Sequence, residues 1–513
     1  MTYKSTRGAV SGISFSEAVL RGIAPDGGLF VPEQNVRFDS LELAEMCEMD
    51  YKNLAARIIA RYATDFTDAE ISCCVEKAYG TGSRFDGVDP APVVHLNGTL
   101  SMLELWHGPT AAFKDMALQI LPAFMSTALK KRREKERIAI LTATSGDTGK
   151  AALEGFRDAD GIDIIVFYPE HGVSRTQKQQ MVTQEGGNVS VAAVRGNFDD
   201  AQTGVKRIFA DAEFAAALEK SGWRLSSANS INFGRLLPQI IYYFHAYFSL
   251  VRADRISMGA KVNFVVPTGN FGDILAAYYA FKSGLPVGRL ICAANSNNVV
   301  SDFIRTGFYD ANREFTVTVS PAMDILISSN LERLIYDMSG EDEKATARRM
   351  MELSKQGCYN VDRGTLAAIT SVFWSDFATE EETKETIAEI YREYGYLADP
   401  HTAVGINVYD KYVISTGDIT PTVAVSTASP FKFTGCVAEA LAASGIPEFR
   451  QTTGIDDEFR LPRLLSSLTG KSVPEPLADL DRRPVLHTGV CGADRMKDWV
   501  TEYIENRKDN DHV

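Results

Sequence analysis

Long apolar runs are missing from this chain. The greasiest stretch, residues 236–251, is interrupted by Pro238, Gln239 and His245 and falls short of the roughly 20 residues a membrane-spanning helix needs. Metal-ligand spacing is missing too. The seven histidines never fall into an H-x-x-x-H pattern, and the seven cysteines (47, 73, 74, 292, 358, 436, 491) contain no C-x-x-C pair, so no metal site is expected. An odd number of scattered cysteines reads as free thiols in a reducing compartment, not a disulfide framework. Positive charge is scarce: a formal net charge of −14 and a pI near 5.2 argue against nucleic acid or an anionic membrane as the main partner. The N-terminus lacks the apolar core of a signal peptide. What remains is a cytoplasmic protein that works on small molecules. The one basic run, residues 130–137, reads as the solvated end of a helix.

With 513 residues, 45% of them hydrophobic, the chain can build roughly two or three domains with large cores. Residues 1–95 read as a helical N-terminal domain, with helices over about 14–20, 52–63 and 67–79. The last of these opens on Thr67-Asp-Ala-Glu70, a capping-box pattern. From about 93 the pattern becomes strand, small-residue loop, helix. Buried-strand runs at 138–142, 162–168, 189–194 and 262–266 alternate with helices at about 174–184, 200–220 and 233–252, which predicts parallel sheets covered on both faces. Ligands in such folds sit beyond the carboxyl ends of the strands. Residues 225–232 read as a polar loop and 320–395 as a charged, mainly helical embellishment. Sheet character returns at 422–426, and the last fifteen or so residues read as frayed. No internal repeat is visible.

The chemistry gathers in three loops. Residues 107–119 follow a strand-like run, turn through Gly108-Pro109 and enter an apolar helical stripe. Thr110 is placed to cap that helix, and Pro122 to kink or restart it. Lys114 then lies about one turn past the cap. The helix dipole contributes only about 0.3–1 kcal/mol there, so burial would have to do most of the work of keeping the amine neutral. The stretch alone does not distinguish this from a solvated lysine. Residues 268–273, Thr-Gly-Asn-Phe-Gly-Asp, and 144–149, Thr-Ser-Gly-Asp-Thr-Gly, offer backbone N–H groups at helix starts, a way to hold anions. Neither is a G-x-G-x-x-G or a P-loop. Two cradles and a helix-start lysine suggest a phosphorylated cofactor joined to an amine.

These segments, 107–119, 142–152 and 266–277, resemble those of pyridoxal-phosphate enzymes of the tryptophan-synthase-β type (fold type II), and within them the threonine synthase family. Residues 3–8, 22–32, 230–235, 399–405 and 426–433 carry further motifs similar to that family's. Ser429 departs from it where some members have histidine.

The resemblance implies an α/β fold of two open parallel-sheet domains with a mainly helical N-terminal region. The catalytic core would be 96–513, with a small lobe at about 137–255 and a large lobe at about 96–136 and 256–513. It implies pyridoxal 5'-phosphate as cofactor and Lys114 as its Schiff-base lysine and the catalytic base. Gly269, Asn270, Phe271 and Gly272 would hold the cofactor phosphate with Asp273 beside them, Asp147 would lie near the ring hydroxyl, and Thr427 would face the ring nitrogen. Ser145, Thr148, Arg235 and Lys178 would bind substrate. Arg235 is the first choice for the substrate phosphate, ahead of Lys150, Arg175 and Lys178, because it follows a polar loop at a helix start.

The implied reaction converts O-phospho-L-homoserine and water to L-threonine and phosphate, in a monomer or homodimer. A phospho-amino-acid lyase releasing phosphate, ammonia and a keto acid, and a non-catalytic binding protein of the same fold, are the competing readings.

Overall fold

The computed structural model describes all residues except 135, 145, 456 and 511–513, and the backbone alone at 508–510. The N-terminal region is helical because its caps are local and complete. Ser14, Asp39, Asp50 and Thr67 each accept an N–H of the following helix: Phe15–Arg21, Ser40–Cys47, Tyr51–Tyr62 and Asp68–Tyr79. At Thr67 and Glu70 the capping box forms in both directions. The helix Ser40–Cys47 had no clear periodic signal. Strand Tyr3–Ser5 pairs antiparallel with Phe30–Pro32 and ties the chain start to this layer.

Two sheets follow. The larger has six strands in the order Phe373–Phe377, Val287–Ala294, Val262–Pro267, Thr422–Ser426, Leu100–Glu104, Val93–His95. It is parallel except for its last edge strand. The smaller has five parallel strands in the order Gly489–Gly492, Val189–Arg195, Ile162–Pro169, Arg137–Ala143, Trp223–Ser226. Its central strand Ile162–Pro169 is buried along its whole length, as expected for a strand covered on both faces. The helix Phe233–Arg252 packs on Gly272–Lys282, Tyr51–Tyr62 and Asp115–Leu118, joining the N-terminal layer to both loops of interest. No helix among the described residues is long and apolar enough to cross a membrane, and all seven cysteines are free thiols.

Four local expectations are corrected. The helix expected over 200–220 is two, Phe198–Ala210 and Ala212–Lys220, because Asp211 ends the first and its carboxylate caps the second. The loop expected from 225 begins inside the strand Trp223–Ser226. The C-terminal tail is not frayed through 510: the helix Met496–Asn510 buries Val500 and Ile504. Trp499 Nε1 donates to Ser190 Oγ at 3.1 Å and the Tyr503 hydroxyl to Asp163 at 2.9 Å. Each buried aliphatic side chain contributes about 1.5–3 kcal/mol, enough to dock a tail whose partner strand lies some three hundred residues earlier.

The fourth concerns Thr110, which caps no helix. Its N–H and hydroxyl both donate to Asp115, at 2.8 and 2.7 Å. The helix after Lys114 is the single turn Asp115–Leu118, and a new one, Leu121–Arg132, starts with Pro122 in its first turn. A one-turn helix adds little dipole, so the environment of Lys114 must come from packing.

Candidate active site

Strands Val262–Pro267, Thr422–Ser426 and Leu100–Glu104 lie side by side and parallel. Their carboxyl ends therefore deliver residues 268–271, 427–429 and 105–114 to one edge. In the smaller sheet the neighbours Arg137–Ala143 and Trp223–Ser226 deliver 144–147 and 227–235. The two edges meet at Lys114 and Asp147.

Lys114 is pinned by its backbone. The Phe113 N–H donates to the Thr427 carbonyl at 2.8 Å, the Ser429 N–H to the Ala111 carbonyl at 3.1 Å, and Ala112 bridges Ala428. Ala111 takes a left-handed φ of 56°, which turns the chain into this bridge. The Lys114 side chain is 11% exposed, and its amine stands 4.8 Å from the centroid of the Phe113 ring. Asp147 Oδ2 is 3.7 Å away, beyond hydrogen-bonding distance. Burial lowers the Lys114 pKa; Asp147 opposes this, and the charges of Lys432 and Arg235 add to it.

Asp147 itself opens the helix Asp147–Phe156. Burial alone would raise its pKa, but Lys432 and Lys114 beside it hold the carboxyl well below the usual carboxylate range. Its Oδ1 faces Lys432 Nζ at 2.8 Å and accepts from Gln177 Nε2 at 2.9 Å. Sequence reasoning gave Lys432 no role. The signal was its place in the 426–433 motif.

The 268–273 loop runs into the helix Gly272–Lys282, whose start has no side-chain cap and whose preceding residue, Phe271, is left-handed at φ 62°. The Phe271 ring turns away into the core against Phe373. Ser328 Oγ donates to the Gly269 carbonyl at 2.8 Å, and the backbone and side-chain amides of Asn330 donate to the Asn270 carbonyl at 3.1 and 3.2 Å. Asp273 is buried below. Its Oδ1 accepts the hydroxyls of Tyr242 and Tyr243 at 2.5 and 2.6 Å, and its Oδ2 has no partner among the described residues. Burial raises its pKa to about 6.

Arg235 is buried: Nη1 donates to the Ala228 carbonyl at 2.9 Å, and among the described residues it pairs with no carboxylate and its Nε has no partner. Burial lowers its pKa to about 10. In the 144–149 loop the Thr144 hydroxyl accepts the N–H groups of Gly146 and Gly149 at 3.0 and 2.9 Å, so it shapes the loop. Thr148 is half-buried; Ser145 lies outside the described residues. Lys178 is exposed, on the helix that sends Gln177 to Asp147. Lys150 is buried and paired with Glu154 at 3.0 Å and with Gln184, and Arg175 lies over the Phe459 ring.

These residues fit pyridoxal phosphate. They supply a pinned, largely buried amine with no hydrogen-bond partner among the described residues, an uncapped helix start for the phosphate, and an unpartnered guanidinium nitrogen for a second anion. The architecture and these groups together define a pyridoxal-phosphate-dependent enzyme of fold type II, and residues 85–371 match the family model described as "Pyridoxal-phosphate dependent enzyme". Residues 2–79 match "Threonine synthase N terminus" and residues 402–490 match "Threonine synthase, C-terminal". The chain belongs to the threonine synthase family, and its cofactor is pyridoxal 5'-phosphate.

Threonine synthase of Pseudomonas aeruginosa is 42% identical over 441 residues, covering 86% of this chain and 90% of that protein. Human threonine synthase-like 1 is 40% identical, over 97% of this chain and 67% of that protein. The crystal structure of pyridoxal-phosphate-bound threonine synthase from Brucella melitensis superposes with a TM-score of 0.86 at 36% identity, covering 98% of this chain and 99% of that one.

Proposed function

We propose that this protein is a threonine synthase that converts O-phospho-L-homoserine and water to L-threonine and phosphate. The observation that carries the reading is the pinned, buried amine of Lys114 between Asp147 and Arg235, in a chain whose three family segments all match. When bound, pyridoxal 5'-phosphate supplies the electron sink for the carbanion chemistry.

The protein's part is binding and proton transfer. Lys114 Nζ bonds the cofactor and serves as the base that takes the substrate's Cα proton and then a Cβ proton. After phosphate has left, the amine returns one proton at Cγ, water adds its hydroxyl at Cβ and gives up a proton, and a proton goes back to Cα. A lowered pKa suits an amine that must both lose and gain a proton near neutrality. Residues 269–272 hold the cofactor phosphate through backbone N–H groups, with Asp273 closing the floor. Asp147 lies near the ring hydroxyl and Thr427 faces the ring nitrogen, which a hydroxyl leaves neutral. Arg235 receives the substrate phosphate, with Thr148 and Ser145 on the 144–149 side; Lys178, being exposed, serves only at the rim.

The catalytic core is 96–513, and its small lobe, about 137–255, takes in the strand and helix at 489–510 as well. Free thiols at all seven cysteines suit a reducing, cytoplasmic setting. Incubation of the holoenzyme with O-phospho-L-homoserine tests the reading. L-threonine and phosphate in equal amounts are expected; phosphate with ammonia and a keto acid would make the protein a phospho-lyase instead.

A further inference from the structure

Two lysines share one carboxylate at the centre of the site, and only one of them is bonded to it. Lys432 has no exposed side-chain surface. Its Nζ stands 2.8 Å from Asp147 Oδ1 and donates to the Thr110 carbonyl at 2.9 Å. The turn Pro430–Phe433 aims it there, with Ser429 accepting the Phe431 N–H at 3.3 Å on its side chain and the Lys432 N–H at 3.0 Å on its carbonyl. Lys114 stands off at 3.7 Å from Oδ2.

A lone buried carboxylate beside Lys114 would hold it as an ammonium, because an opposite charge within about 4–6 Å favours the charged form. We propose that Lys432 is a positioning residue for the reaction: by occupying Asp147 it leaves Lys114 a free amine, able to bond the cofactor and to carry protons, instead of one half of an ion pair. This rests on the reading of Lys114 as the cofactor lysine.

None of the other charges facing Lys114 is bonded to Asp147. Arg235, on Phe233–Arg252, is cationic and acts in the same direction as Lys432. Asp115, on the adjoining turn, and Asp273, on Gly272–Lys282, are buried carboxyls whose pKa values burial raises to about 6. Both of their bonded partners are hydroxyls or backbone N–H groups, so neither neutralises Asp147.

The test is competitive acetic anhydride labelling of Lys114 across pH in the full-length protein stripped of cofactor, read by peptide mass mapping. The holoenzyme is the protection control. In Lys432→Met the labelling midpoint of Lys114 is expected to rise by about one pH unit or more, a tenfold loss of free amine at a given pH. Lys432→Arg should stay near the parent, and Lys432→Met combined with Asp147→Asn should return toward it. An unchanged midpoint in folded Lys432→Met, or a double variant as high as the single, overturns the proposal.

If Lys432→Met does not fold, Lys432→Gln decides: it keeps a polar group at the site without the charge, so the Lys114 midpoint should rise above the parent, and an unchanged midpoint overturns the proposal. Failure of the holoenzyme to protect Lys114 would instead count against its role as the cofactor lysine, separating the two readings.

Discussion

The carbonyl of Thr427 accepts the backbone N–H of Phe113 at 2.8 Å. The residue proposed for the ring nitrogen is thereby fixed one peptide away from the lysine proposed for the cofactor's other side. The contact uses backbone alone, so side-chain changes at Thr427 or Lys114 leave the frame standing and read out chemistry.

Lys114→Ala should therefore fold, bind cofactor more weakly through the 269–272 loop, and lose turnover. General acid–base assistance alone accounts for about 10²–10⁴-fold, so a loss at least that large is expected. Borohydride reduction of the holoenzyme followed by peptide mapping should place the pyridoxyl label on Lys114. Label on another lysine, or retained activity in Lys114→Ala, would remove Lys114 from the mechanism.

Arg235→Ala should raise the KM for O-phospho-L-homoserine and weaken inhibition by inorganic phosphate together. The guanidinium is buried, keeps Nε free of partners among the described residues, and makes one bond to the Ala228 carbonyl. A hydrogen bond to a charged group contributes about 1.5–3 kcal/mol, or roughly ten- to a hundredfold in affinity. Steady-state kinetics with phosphate as inhibitor checks this; unchanged values for both would assign the substrate phosphate to another group.

The two cradle glycines should behave differently. A Cβ on Gly269 would sit 2.8 Å from the Ala322 carbonyl oxygen, a backbone atom with little room to move, whereas on Gly272 the nearest atom is Asn330 Nδ2 at 3.4 Å. Gly269→Ala should thus cost stability, about 1–3 kcal/mol for such overpacking, and Gly272→Ala should melt close to the parent. Thermal unfolding of the two variants settles the order, and equal melting temperatures would contradict it.

The sheets were legible in the sequence because strands such as Ile162–Pro169 and Val262–Pro267 are buried on both faces and so read as apolar runs, each broken only by one polar residue near its start, Asp163 or Asn263. The Thr67–Glu70 capping box was legible because its partners are three residues apart. Trp223–Ser226 was not: it is an edge strand, half of it only partly buried, and its residues look like loop. Gly489–Gly492 was invisible for another reason, since its strand character comes from pairing with Val189–Arg195. Lys114 and the cradle loops stood out through small residues at strand ends and through the family motifs. Lys432 did not: it lies inside the 426–433 motif, but its burial against Asp147 is a tertiary fact that the motif alone does not assign.

Asp273 carries a pH-dependence that can be separated from catalysis. Burial raises its pKa from 3.8 to about 6, so between these values the folded protein holds a proton that the unfolded chain has released. Stability should fall as pH rises through that window and then level off. At about 1.4 kcal/mol per unit the group contributes of order 2–3 kcal/mol. Asp115 is shifted the same way, so Asp273→Asn should flatten part of the slope. Denaturant titrations of parent and variant between pH 4 and 7 measure it, and parallel curves would mean that Asp273 titrates normally in the fold.

Thr427 gives the most specific test of the proposed ring pocket. The residue is 6% exposed, and its hydroxyl makes no hydrogen bond among the described residues, so it is free to meet the ring nitrogen. A hydroxyl is too weak an acid to keep that nitrogen protonated. Thr427→Ser retains the group and should change turnover only mildly. Thr427→Asp would bury a carboxylate, and a buried charge is tolerated only when paired; the available partner is a protonated ring nitrogen. That variant should shift the holoenzyme's absorption and divert a measurable fraction of turnover to side reactions such as transamination. Absorption spectra and product ratios for the two variants decide the matter: if Thr427→Asp matches the parent in both, Thr427 does not face the ring nitrogen.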